Sequence, residues 1–230
     1  MVQISGRRAL VTGGQRGLGA AFAAELLARG AERVYVTART PQPTDDPRLV
    51  PLALDVTSPD SVAALAEAAG DVSIVFNNAG TSASLSTLDT PVDTMKELFE
   101  TNVWGALRVA QAFAPVLTDH GSSALVDIHS ALSWLGGFGA YGASKAAFWS
   151  FTNSLRAELA PRGVQVLGVH LGYADTDLTA GVDAPKISPQ FVAEQVIAAL
   201  EAGDDEVLVD DTSRWAKSKL TGPVAELLVR

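Results

Sequence analysis

The chain has 230 residues, 47% of them hydrophobic and 19% charged, with no cysteine. That is the composition of a globular domain with a sizeable core, and it excludes a disulfide framework or a thiolate metal site. The net charge of −9, from 26 acids against 17 bases, argues against sequence-independent nucleic-acid binding.

Further expectations follow from what the chain lacks. No apolar run reaches the roughly 18 residues of a membrane span. Met1 to Arg8 lacks the apolar stretch of a signal peptide, so the cytoplasm is the expected compartment. His120, His129 and His170 are too scattered for a zinc motif, and no metal is expected.

In chain order, residues 7–12 read as a buried strand running into glycines. Leu18, Phe22 and Leu26 give residues 17–29 helical spacing, and Gly30 is the stop. Strands are predicted at 33–37, 50–54 and 72–76. A proline- and aspartate-rich loop falls at 41–47. Ser58 and Pro59 are placed as cap and first residue of a helix over 58–69. A long helix is predicted over 91–117, a strand at 124–128, a helix over 141–159 and a strand at 164–170. A helix over 188–202, a short strand at 206–209 and a helical tail from Thr212 complete the chain. Strands alternating with helices mean parallel βαβ units, and apolar runs without polar alternation suit strands covered on both faces. The expected fold is α/β, a Rossmann-type doubly wound parallel sheet of about seven strands with helices on both faces. Residues 1–230 read as a single domain, with a cofactor half over about 1–120 and a catalytic and substrate half over about 121–230.

Three local patterns carry chemistry. Thr12-Gly13-Gly14-Gln15-Arg16-Gly17-Leu18-Gly19 lies between the first strand and first helix, where backbone N–H groups and a helix N-terminus meet a pyrophosphate. At the end of the second strand, an acid would bind the ribose 2′-OH of NAD and an arginine would accommodate a 2′-phosphate. Here Ala38 stands at that place, Arg39 follows, and Arg16 is a second base within reach. NADP(H) is therefore the expected cofactor. Tyr141 and Lys145 stand four apart, on one helix face. A neighbouring ammonium lowers a phenol's pKa, which makes the pair a candidate general acid/base.

The ordered set of motifs resembles the short-chain dehydrogenases/reductases. The glycine loop resembles TGxxxGxG, and Asn77-Asn78-Ala79-Gly80 resembles NNAG. Asn102 lies in Glu-Thr-Asn-Val, Ser130 follows the fifth strand, and Tyr141 with Lys145 matches YxxxK. Residues 172–176 resemble PGxxxT, with Leu171 in place of the proline. The resemblance implies cofactor contacts from Gly13, Gln15, Arg16, Gly17, Leu18, Gly19, Arg39, Asp55, Val56, Asn78, Ala79, Gly80, Tyr141, Lys145, Gly172, Tyr173 and Thr176. For Asp55, capping the following turn is the alternative. The resemblance also implies that Tyr141 is proton donor to a carbonyl, or base in reverse, and that Lys145 lowers its pKa and bonds the nicotinamide ribose. Ser130 would bond the substrate oxygen, and Asn102 would hold a water linking Lys145 to solvent. The Ser130–Tyr141 interval is eleven where many members have thirteen, and Ser133 is a rival serine.

Trp134, Phe138 and Tyr173 are expected on the substrate side, lining an apolar pocket. The segment from Asp177 to Pro189 is a short lid. His129 and His170 are expected to be structural, Asp175 and Asp177 to serve turns or caps, and Phe148 and Trp149 to face the core or a subunit partner. The expected function is NADP(H)-dependent reduction of a ketone or aldehyde small molecule by a homodimer or homotetramer assembled through the two long helices. One alternative is a non-catalytic NADP(H)-binding sensor on the same fold, which would be expected to lack Tyr141, Lys145 or Ser130. Another is an epimerase or dehydratase of nucleotide-linked sugars, which needs a larger C-terminal domain.

Overall fold

The computed structural model describes residues 1–82 and 86–228. Seven strands form one parallel sheet in the order β3-β2-β1-β4-β5-β6-β7. They are β1 (Arg8–Val11), β2 (Arg33–Ala38), β3 (Leu49–Ala53), β4 (Ile74–Asn77), β5 (Ser123–Ile128), β6 (Val164–His170) and β7 (Glu206–Leu208). Every residue of β4 and β5 is buried, because helices cover both faces.

On one face, α1 (Gly17–Ala28) and α6 (Pro189–Ala202) set Phe22, Leu26, Val196 and Leu200 against Val11, Val34, Phe76 and Val126. On the other face, α2 (Pro59–Ala68) and α4 (Ala106–Asp119) contribute Val62, Leu65, Val109 and Phe113, packed against Leu10, Val75 and Leu125. Burying each such side chain contributes roughly 1.5–3 kcal/mol before the entropy of ordering it. Ser58 caps α2 as expected, its hydroxyl accepting from Ser61 N, with Pro59 in the first turn.

The long helix expected over 91–117 is three pieces. α3 (Val92–Phe99) passes into a π-helical turn, Glu100–Gly105, and then into α4. The extra residue of a π-turn re-aims side chains without stopping the helix. Here Asn102 is pinned to Thr81, and Gly105 lies so close to Val56 that a Cβ would sit 2.7 Å from Val56 Cγ2. The helix carrying Tyr141, α5 (Gly139–Leu159), begins two residues before the tyrosine. The tail forms α7 (Asp211–Ser218) and a short 3₁₀ turn, Val224–Leu227.

The strand order reverses between β1 and β4. That leaves a crevice beyond the carboxyl ends of the strands, the place where open α/β sheets bind ligands.

Candidate active site

The glycine turn sits at that crevice. Gly13 and Gly17 have φ of 64° and 52°, conformations that favour glycine. A Cβ on Gly19 would meet Gly13 O at 2.2 Å, so only glycine lets the turn fold against α1. Thr12 ties this turn to the end of β4: its Oγ1 donates to Phe76 O and accepts from Asn78 N and Ala79 N. Asn78 Nδ2 returns a bond to Thr12 O at 2.9 Å. No side chain caps α1 at Arg16, and its first turn holds no acid. Its leading N–H groups therefore make an anion-binding end. These features fit a dinucleotide pyrophosphate.

Around this turn, Leu18 packs on the core and Gln15 exchanges two bonds with the main chain of Gln42, fixing the loop after β2. Arg39 is exposed at the end of β2. Arg16 is exposed too, 3.6 Å from Asp177. Asp55 accepts from Thr57 N and Oγ1, a turn-capping role that holds its carboxyl below the usual range, and Arg39 adds to the effect. Val56 is buried against Gly105. Thr176 lies against Gly17, so the segment after β6 closes on the turn. Gly172 instead donates to Asp210 Oδ2 at 2.8 Å and leaves no room there for a Cβ; it is a packing glycine under α7.

The proton-transfer candidates meet at the end of β5. Ser130 opens a 3₁₀ turn, Ala131–Ser133; its Oγ accepts from Leu132 N and lies near enough to the Tyr141 phenol to draw its pKa down. Ser133 is buried in the same turn with its hydroxyl unpaired. Lys145 is buried one turn after Tyr141, and its Nζ donates to Ile128 O at 2.8 Å. Gly80 lies between Lys145 and Asn102: a Cβ there would be 3.8 Å from Nζ and 3.3 Å from Asn102 Oδ1.

Two expectations meet a more specific geometry here. Lys145 does not draw the Tyr141 phenol below its ordinary range. Nζ is 6.0 Å from the ring centre, and the protein packed around the ring pushes the phenol up to about 12, against the opposing effect of Ser130. Loss of hydration outweighs a cation at that range. Lys145 itself is pushed down to about 8 by burial, opposed by the charge of Asp127. Second, the Asn102 amide is already engaged. Nδ2 donates to Thr81 O and Ser144 Oγ, and Oδ1 accepts from Thr81 N. Its visible work is to clamp the segment after Gly80 to α5.

On the substrate side, Phe138 and Tyr173 are half-buried and pack with Tyr141, Leu220 and Leu227 around a small apolar cluster. Gly136 N donates to Leu227 O at 2.7 Å, so the tail braces the shortened loop before Tyr141. Trp134 departs from the expected pocket wall. It is 6% exposed, stacked on His170 with ring centres 4.0 Å apart, and Lys217 lies over its face. His129 and His170 are buried and held neutral by burial, as a structural role requires. Phe148 is buried against His129, and Trp149 packs edge-on to Trp134. Tyr173 to Asp175 pairs with Ile187, which closes the short lid at its base.

Among the residues that motif reading missed, Asp127, Thr152 and Thr81 stand out. The buried carboxylate of Asp127 carried a weak signal, an acid inside an otherwise apolar strand. Among the described residues, no group of three His, Cys, Asp or Glu is arranged to hold a metal, and no helix is long and apolar enough to cross a membrane.

Comparison with known proteins gives this geometry a setting. The family profile described as short chain dehydrogenase matches residues 7–186. A short-chain dehydrogenase/reductase of Pestalotiopsis microspora, GME11361, is 35% identical over 219 residues, covering 90% of this chain and 76% of that protein. An uncharacterized oxidoreductase of Staphylococcus epidermidis, SERP2049, is 32% identical, covering 87% of this chain and 93% of its own. Among solved structures, a short chain dehydrogenase from Burkholderia cenocepacia J2315, in complex with NADP, superposes with a TM-score of 0.92 at 35% identity, covering 98% of this chain and 97% of that one.

Proposed function

The chain belongs to the short chain dehydrogenase family, an oxidoreductase family, and from that premise we propose that it is an NADP(H)-dependent carbonyl reductase. The observation that carries the reading is the meeting of Ser130, Tyr141 and Lys145 beside an uncapped, glycine-built helix N-terminus. NADP(H) rather than NAD(H) is supported by Arg16 and Arg39, both exposed at the mouth of the crevice, with Ala38 where an acid would repel a 2′-phosphate. The NADP bound by the 35%-identical Burkholderia protein supports the same preference.

Bound NADPH would supply a hydride to the carbonyl carbon. The chain's own task is then the oxygen. Ser130 Oγ, at the strand end, donates to that oxygen and stabilises its growing negative charge. Tyr141 gives it the phenolic proton, which a phenol pushed to about 12 retains at neutral pH until the oxygen becomes more basic. Lys145 then stabilises the phenolate. The glycines at 13, 17 and 19, the Asn78–Gly80 segment and Thr176 hold the dinucleotide. Asn102 holds the segment after Gly80 against α5. Phe138 and Tyr173 border the substrate and favour an apolar or aryl group on the ketone or aldehyde; Trp134 supports them from behind.

Replacing Tyr141 by Phe tests the reading: carbonyl reduction should be lost while NADPH still binds, and retained turnover would overturn the assignment. Assembly as a dimer or tetramer through α4 and α5 belongs to the same proposal. Trp104, 42% exposed and edge-packed on Phe151 at 5.9 Å, offers an apolar anchor for it.

A further inference from the structure

Asp127 is a fully buried carboxylate that no step above uses. Its Oδ1 accepts from Asn77 Nδ2 at 3.1 Å, and its Oδ2 accepts from Thr152 Oγ1 at 2.7 Å. Both donors are neutral, so they satisfy the oxygens without matching the charge. Strand alternation puts Asp127 and His129 on the face of β5 that meets α5. Lys145, Phe148 and Thr152 recur at helical spacing along the facing stripe of α5. Thr152 bonds Asp127, Phe148 packs on His129, and Lys145 donates to the carbonyl of Ile128, the residue after Asp127.

The charges around this stripe are few. His129 and His170 are neutral, the Tyr141 phenol is protonated, and Arg156 adds positive charge farther along α5. Among the described residues, Asp127 is the acid whose field acts on Lys145. An asparagine would make the same bonds. Its amide oxygen would accept from Asn77, and its amide nitrogen would donate to Thr152 Oγ1, whose hydrogen would turn to Phe148 O, already 3.0 Å away. Packing alone therefore gives no reason for a carboxylate here, and a buried charge without a touching cation costs stability.

We propose that Asp127 is a positioning residue whose carboxylate is the buried counter-charge that keeps Lys145 an ammonium beneath Tyr141. The inference rests on the proton-delivery role proposed for the Tyr141–Lys145 pair, but its test needs no turnover. The full chain, labelled with ¹³C at lysine Cε and aspartate Cγ, is titrated by NMR without ligand, beside Asp127→Asn. The Lys145 midpoint, near 8 in the native chain, falls by about one pH unit in the variant. In the native chain the Lys145 resonance also responds as Asp127 titrates near 6. An unchanged Lys145 midpoint in a folded variant overturns the proposal. If the variant does not fold, the native titration decides: an Asp127 step with no response at Lys145 overturns it. A native chain that turns over no carbonyl would instead defeat the carbonyl-reductase reading and leave the lysine result standing.

Discussion

In the proposed reaction Tyr141 concentrates the chemistry, and its environment sets the pH behaviour. Tyr141→Phe removes the only proton the phenol can give, so kcat should fall by ~10²–10⁴-fold with NADPH affinity nearly unchanged. Stopped-flow turnover and fluorescence titration check the two halves. If the ammonium form of Lys145 is the working one, reduction slows as pH rises through about 8, and a pH profile of kcat shows that limb. Asp127 gives a stability prediction with a definite sign. Its folded pKa, about 6, lies above the ordinary 3.8, so its contribution is fully present below about 3.8 and lost as pH rises through about 6. Asp127→Asn should therefore be more stable than the native chain at pH 7.5, by on the order of 3 kcal/mol, and melt higher, with the gain vanishing near pH 4. A lower melting point at pH 7.5 would contradict the buried-charge account. Cofactor choice is also a residue-scale matter. Arg39→Asp with Arg16→Ala should shift the NADPH/NADH preference toward NADH by ~10²-fold or more, two charge-assisted bonds being at stake. Ratios of kcat/KM for the two cofactors measure it.

At the scale of the element, the glycine turn and the π-turn do the positioning. Gly19→Ala would drive a Cβ to 2.2 Å from Gly13 O, so NADPH affinity should collapse while the sheet still forms. Calorimetric titration with circular dichroism separates those outcomes. Strand and helix order was legible in the sequence because parallel strands buried on both faces read as short apolar runs between helical spacings. The phosphate turn was legible because its glycines are demanded by backbone approach. The π-turn was not, since it keeps an apolar helical pattern and arises from the clamp of Asn102 on Thr81 and the closeness of Gly105 to Val56, contacts distant in sequence. The direction of the Tyr141 shift was hidden for a similar reason. Spacing placed Lys145 on the same face but did not reveal that its Nζ turns to Ile128 O. Trp134 lies beside the site in sequence, yet its ring stacks on His170, a partner far along the chain that only the fold brings close.

Over the whole molecule, the reversal of strand order between β1 and β4 brings the glycine turn, the Asn78–Gly80 segment and the β5 end to one crevice. The net charge of −9 repels a polyanionic cofactor at long range, so Arg16 and Arg39 supply a local positive mouth, and NADPH affinity should fall with rising salt. Assembly through α4 and α5 predicts that Trp104→Glu shifts sedimentation toward monomers. The central claim, carbonyl reduction by NADPH with Tyr141 as proton donor, meets its most direct test in the loss of nicotinamide absorbance. Purified native chain and Tyr141→Phe are each mixed with NADPH and a panel of aryl ketones and aldehydes. The account predicts turnover of at least one carbonyl by the native chain, faster with NADPH than NADH, and almost none by the variant. Equal rates from the two proteins, or no turnover of any carbonyl by the native chain, would contradict it.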